Sequence, residues 1–200
     1  MSEAEEKLGG VDILVNNAAN WDLQPWWDTP PEQWLRLLDE QLVLVVRLTQ
    51  KLCPKMRERG WGRVINISSG GATMPWAPGP DYHAAKAALI NMSVTLAQAL
   101  VGAGVNVNTV SPGPILTPGL EHEFRKAGRL RGWAEADMSD FGPLEKRSAS
   151  YDGGIVPNPT GRIGRPDDIG TVCNFLCSPV AGFINGANFR VDGGYIRCVN

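Results

Sequence analysis

No apolar run in this chain approaches the roughly 20 residues that a membrane span requires; the longest, such as Leu42 to Val46, are far shorter. A basic excess is missing too, since 19 Lys and Arg face 21 Asp and Glu and the basic residues never run beyond pairs such as Arg125-Lys126. Nothing in that balance is built to neutralise a polyanion, which argues against a nucleic-acid partner. Histidine is scarce and cysteine is limited to Cys53, Cys173, Cys177 and Cys198. Cys173 and Cys177 stand a helical turn apart, but no further His or Cys cluster supplies the rest of a metal's ligand set, so no metal is expected. The first residues, MSEAEEKLGG, are acidic where a signal peptide is basic and then apolar. The expectation is a cytoplasmic protein with reduced thiols, no membrane partner and a small-molecule substrate. Internal repeats and low-complexity tracts are absent as well.

What is present is ordinary globular composition: 200 residues, 43% hydrophobic, 20% charged, net charge −2. That length suits one domain spanning residues 1–200. Along it, apolar runs alternate with helical patterns. Val11 to Val15 is a short β-branched run closed by Asn16-Asn17 and reads as a strand buried on both faces. Pro31-Glu32 opens a long helix carrying Trp34, Leu37, Leu38, Val45 and Leu48, expected to stop at Pro54. Gly62 to Ile67 is a second strand, Asp81 to Val101 a second helix ended by Gly102 and Gly104, and Val105 to Val110 a third strand closed by Ser111-Pro112-Gly113. A polar stretch over 117–160, rich in Gly and Pro, follows with only patchy periodicity from Leu120 to Leu130 and suits a substrate loop or lid. A helix from Arg165 through Cys177 and a strand at Asn188 to Val191 complete the order. The pattern predicts an α/β fold, a partial Rossmann-like, doubly wound parallel sheet of about four strands with helices on both faces. Such sheets seat ligands at the carboxyl ends of their strands, here Asn16, Ser69 and Pro112.

The chemistry is densest between Ser69 and Lys86. Tyr82 and Lys86 stand at i and i+4 on one helix face, where an ammonium can stabilise a phenolate and turn a tyrosine into an acid and base. Ser69 lies at a strand end thirteen residues earlier, placed to donate to the same oxygen that Tyr82 protonates. Tyr-x-x-x-Lys alone is common in helices, and His83 is the next candidate for the proton-transferring group.

Several such features in one order make the chain similar to the short-chain dehydrogenase/reductase family, the nicotinamide-dependent carbonyl and alcohol oxidoreductases. Asn16-Asn17-Ala18-Ala19 resembles that family's Asn-Asn-Ala-Gly; Ser69, Tyr82 and Lys86 match its Ser, Tyr and Lys; Ser111-Pro112-Gly113-Pro114-Ile115 with Thr117 looks like its turn against the nicotinamide. Gly161-Arg162 to Pro166 and Val191-Asp192-Gly193-Gly194 look like its C-terminal signature. The resemblance implies NAD(P) as cofactor, with Asn17, Ala18, Ala19, Tyr82, Lys86, Pro112, Gly113, Ile115 and Thr117 around its reactive end. It implies catalysis by Ser69, Tyr82 and Lys86. Gln41 stands where the family places an Asn for proton relay, offering the same donor and acceptor on an arm one methylene longer. It implies association as well, through helices 32–52 and 81–101 of neighbouring subunits.

The family's chain begins with a strand, a Gly-rich turn and a helix that this sequence does not contain; at 30 or more residues per βαβ unit, roughly 60 to 80 residues of the pattern are absent. Gly102-Ala103-Gly104 follows a helix and reads as a turn, not a phosphate cradle. Weak or absent NAD(P) binding by these 200 residues is therefore expected. The alternative is a cofactor-independent lyase or isomerase, or a non-catalytic scaffold. With the first strand of the pattern absent, the Val11 strand becomes a sheet edge. Trp21, Trp26, Trp27, Trp76 and Trp133 fall in loops after strands, which points to a bulky apolar or aromatic substrate met by Trp21, Trp26, Trp76 and Trp133.

Overall fold

The computed structural model describes residues 2–21 and 23–198. In chain order it contains α1 (Ser2–Leu8), β1 (Ile13–Asn16), α2 (Pro31–Leu38), α3 (Leu44–Arg59), β2 (Gly62–Ile67), α4 (Pro80–Ala99), β3 (Val105–Pro112), α5 (Pro118–Leu130), α6 (Phe141–Ala149), α7 (Pro166–Cys177) and β4 (Asn188–Val191). The strands form one four-stranded sheet in the order β1-β2-β3-β4, with β1–β2 and β2–β3 parallel. This is the α/β architecture the sequence announces. Among the described residues, no helix is long and apolar enough to cross a membrane.

The chain parts into two compact units. The first comprises Met1–Ser111 with Val172–Phe189, the second Pro112–Thr171 with Arg190–Asn200. In the first, β2 and β3 are buried along almost their whole length, polar residues such as Arg63, Asn66, Asn106 and Asn108 included. Leu52, Cys53 and Met56 of α3 pack on Val64, Val105 and Val107, joined by Ala97 and Leu100.

Three sequence-based expectations change here. Pro54 does not end its helix: α3 carries it internally and runs to Arg59, where Gly60 closes it in the left-handed conformation with φ 72°. An interior proline costs about 3 kcal/mol, and burial of Leu52, Cys53 and Met56 on either side of it, each 3% exposed or less, offsets that at roughly 1.5 to 3 kcal/mol for a large apolar side chain. The β1 strand is the expected sheet edge, but it is not buried on both faces: Ile13 and Val15 are 43% and 44% exposed, while Leu14 packs against the core. The polar stretch over 117–160 is not a loop, since α5 and α6 occupy it and Phe124, Met138, Leu144, Ala149, Val156 and Ile163 give the second unit a core of its own.

Between α2 and α3 the helix widens to a π turn over Asp39–Val43. Such a turn inserts an extra residue into the ladder and often marks a functional position. Here it brackets Gln41.

Candidate active site

Helix α4 carries Tyr82 and Lys86 and is held by a stripe of residues at four-residue spacing. Asp81, Ala85, Leu89, Ser93 and Ala97 are all buried, and the small members of that stripe let the helix backbone approach the sheet. Its register is set by a chain of hydrogen bonds across β1, β2 and α4: Asn16 Nδ2 donates to Asn66 Oδ1 (2.7 Å), Asn66 Nδ2 to Ser93 Oγ (2.8 Å), and Ser93 Oγ to the Leu89 carbonyl (2.7 Å). The buried member of the Asn pair is thus Asn16, whereas Asn17, Ala18 and Ala19 are exposed. Nothing local in the sequence marks Asn66 or Ser93 as partners of Asn16; the residues are drawn together only by the sheet.

At the carboxyl end of β2, Ser68 Oγ donates to the Lys86 carbonyl (2.8 Å) and Lys86 Nζ donates to the Ile67 carbonyl (2.9 Å). Strand end and helix are thereby stitched together beside Ser69 and Tyr82. Ser69 is the N-cap of the short turn Gly70–Ala72, its Oγ accepting from Gly71 N–H (3.1 Å), and its hydroxyl stands near enough to the Tyr82 phenol to ease that phenol's ionisation. The Lys86 ammonium lies 5.7 Å from the centroid of the Tyr82 ring. So Ser69, Tyr82 and Lys86, separated in sequence, converge.

Electrostatically, burial dominates. It raises the Tyr82 phenol above its ordinary value, with the Ser69 hydroxyl pulling back down, and it lowers Lys86 to about 8. The sequence suggests an ammonium that lowers the tyrosine directly; in this structure Lys86 bonds to the Ile67 carbonyl instead and the hydroxyl of Ser69 is the group that eases ionisation. His83, its ring centroid 5.7 Å from that of Tyr82, packs edge-on to Trp76 at 4.3 Å and is lowered, chiefly by burial.

Gln41 is 2% exposed, its Nε2 donating to the Asn20 carbonyl and its Oε1 buried without a partner among the described residues. The π turn therefore ties to the loop after β1 that carries Asn17, Ala18 and Ala19. Trp21 and Trp26 are half-exposed, Trp27 is 91% exposed, and Trp26 meets Trp34 of α2 edge-on at 5.7 Å. In the second unit, Gly113 N–H donates to the Val191 carbonyl, Ile115 bridges Gly164, and Thr117 caps α5 by accepting from Leu120 N–H. Trp133 packs against the apolar cluster of that unit with the Arg147 guanidinium 5.3 Å over its ring.

A family profile described as short chain dehydrogenase matches residues 1–128, and one described as enoyl-(acyl carrier protein) reductase matches residues 136–196. The chain belongs to the short-chain dehydrogenase family. It is an oxidoreductase by class. It is 34% identical to Nodulation protein G of Azospirillum brasilense over 97% of this chain and 70% of that protein, and 30% identical to D-beta-hydroxybutyrate dehydrogenase of Cupriavidus necator over 98% and 72%. Among solved structures, L-sorbose reductase of Gluconobacter frateurii, complexed with NADPH and L-sorbose, superposes with a TM-score of 0.85 at 30% identity, covering 99% of this chain and 71% of that one. The chain thus spans about 70% of the length of these relatives.

Proposed function

We propose that this short-chain dehydrogenase interconverts a carbonyl and an alcohol on a bulky apolar or aromatic compound, using NAD(P)(H). The observation that carries the reading is the convergence of the Ser69 hydroxyl, the Tyr82 phenol and the buried Lys86 ammonium at one strand end. The donor set suits the nicotinamide and its ribose, because Lys86 spends one N–H on Ile67 and keeps two for hydroxyl acceptors, beside the Tyr82 phenol. The related sorbose reductase carries NADPH, which supports the same cofactor class here. Bound nicotinamide supplies or accepts the hydride.

The chain's own groups handle the proton. In reduction, the Tyr82 phenol gives its proton to the substrate oxygen as negative charge develops there, and Ser69 Oγ–H donates to that oxygen and holds it. The charge left on Tyr82 is then offset by Lys86, whose ammonium stands across the ring. Because Lys86 titrates at about 8, it can pass a proton on at mildly alkaline pH, and Gln41 Oε1, which lacks a partner among the described residues, is suited to hold a water on that route. Asn17, Ala18 and Ala19 are the proposed backbone surroundings of the reactive end, and Trp21, Trp26 and Trp76 supply exposed aromatic surface for an apolar substrate. In the second unit, Pro112, Gly113, Ile115 and Thr117 are proposed for cofactor binding and Trp133 for substrate contact.

The test is to incubate the chain with NADPH or NADH and a panel of aryl ketones and aromatic aldehydes, following the loss of reduced nicotinamide. Tyr82→Phe should lower turnover by about 10² to 10⁴, while Cys173→Ala should leave it nearly unchanged. Product formed without consumption of nicotinamide would turn the reading to a lyase or isomerase, and full turnover by Tyr82→Phe would move the chemistry to another group. We infer further that copies of the chain associate through α3 and α4. Leu44, on α3, and Val94, on α4, are over a third exposed; a monomer by sedimentation at low micromolar concentration would refute this.

A further inference from the structure

Immediately before Tyr82 stands Asp81, a carboxylate with no accessible surface. Among the described residues no Lys or Arg lies within ion-pair distance of it. A carboxylate buried without a cation is tolerated only when hydrogen bonds satisfy it. Both of its oxygens are used: Oδ1 accepts the Tyr82 N–H (2.9 Å) and Oδ2 accepts from Gln33 Nε2 of α2 (3.0 Å). The second bond reaches across 48 residues of sequence and is the hydrogen bond that joins α2 to the first turn of α4. Gln33 is also next to Trp34, which meets Trp26 edge-on, and α2 leads through the π turn to Gln41 and Asn20.

We propose that Gln33 and Asp81 form a positioning clamp that fixes the first turn of α4, and with it the phenol of Tyr82 against Ser69, and that ties Tyr82 to the Trp26 side of the site. A capping carboxylate alone would need only the Tyr82 N–H. The tie to Gln33 is what makes the placement of the tyrosine depend on α2. If the clamp is released, Tyr82 stays buried but its placement against Ser69 slackens. The clamp rests on the reading of Tyr82 as the proton-transferring group, and its test is chosen to separate the two.

Tyr82 shares the chain with Tyr151 and Tyr195 only, so subtracting the ultraviolet titration of Tyr82→Phe from that of the parent isolates its ionisation. The charged or titratable neighbours Asp81, His83 and Lys86 stay in place in a Gln33 variant. In Gln33→Leu, and in Gln33→Asn, which shortens the arm without adding apolar bulk, the Tyr82 transition should move to higher pH. Turnover on the best aryl carbonyl of the panel should fall about ten-fold, with KM for NADPH unchanged, because loosened geometry costs rate before it costs binding. Asp81→Ala should do the same, and adding Gln33→Leu to it should change little more. Asp81→Asn should restore parent behaviour, since its amide still accepts the Tyr82 N–H and Gln33 can turn its own amide to match. A Tyr82 transition unmoved in both Gln33 variants, or Asp81→Asn behaving as Asp81→Ala, would overturn the clamp. Full turnover by Tyr82→Phe would instead remove the catalytic reading, while the titration would still judge the clamp by its own result.

Discussion

Lys86 illustrates how one buried cation trades stability against chemistry. It is 3% exposed and its affinity for a proton falls from the ordinary 10.5 to about 8 because burial disfavours the charged form. The unfolded chain therefore binds more protons than the folded one between those values, so folding stability rises with pH across that window. Full relief would amount to ~3 kcal/mol, at about 1.36 kcal/mol per pH unit of separation. Tyr82 acts the other way, since its raised value means that stability is lost only once the unfolded phenol ionises above about 10. The difference between the denaturation curves of the parent and Lys86→Met isolates the lysine: the parent should gain on the variant from pH 8 upward. A flat difference would show Lys86 to be solvated. The proposed site residues were legible at this scale because Tyr82 and Lys86 stand one helical turn apart, Ser69 follows a strand end, and these residue types suit proton transfer. Asn66, Ser93 and Gln33 were not, because each acts on a partner some 27 to 50 residues away and an Asn, a Ser or a Gln in an ordinary strand or helix announces nothing.

Among the elements, turns do as much as helices to place the site. Gly102 and Gly104, read from sequence as a turn between helix and strand, both adopt positive φ between α4 and β3. A side chain at Gly104 would strike the Gly60 carbonyl, besides the strain of φ 70°. Gly104→Ala should therefore cost at least ~1 kcal/mol of stability, read as a lower denaturation midpoint, whereas Ala at Gly119, which has no neighbour in the way, should not. The strands are legible from short β-branched runs bounded by Gly, Asn, Ser and Pro, although β2 and β3 carry buried polar residues such as Asn66 and Asn108. Boundaries failed where packing overrode a local rule, as at Pro54. The α5 and α6 helices were missed for another reason: the residues of their core, from Phe124 to Ile163, are spread over some forty positions, and no short window shows them as one face.

For the whole molecule, the comparison that matters is with the cofactor. Gly102 and Gly104, which the sequence reads as a turn and not a phosphate cradle, join the end of α4 to β3 and so lie at a helix C-terminus, not at a helix N-terminus. Phosphates are held chiefly by such N-termini. This 200-residue chain should accordingly bind NADPH with a dissociation constant weaker than roughly 100 μM, measurable by calorimetry, and low-micromolar binding would reveal a phosphate site elsewhere. The fold class and the direction of the strands were legible because alternating β and α patterns admit few arrangements; the second unit was not, since its contacts are set by the fold. The open edge at β1 has a further meaning for handling the protein. Ile13 and Val15 contribute little to the core yet present β-branched surface beside unpaired backbone, the combination that limits solubility. Lysine at either position should leave the melting temperature within a few degrees of the parent and raise the concentration at which the solution clouds.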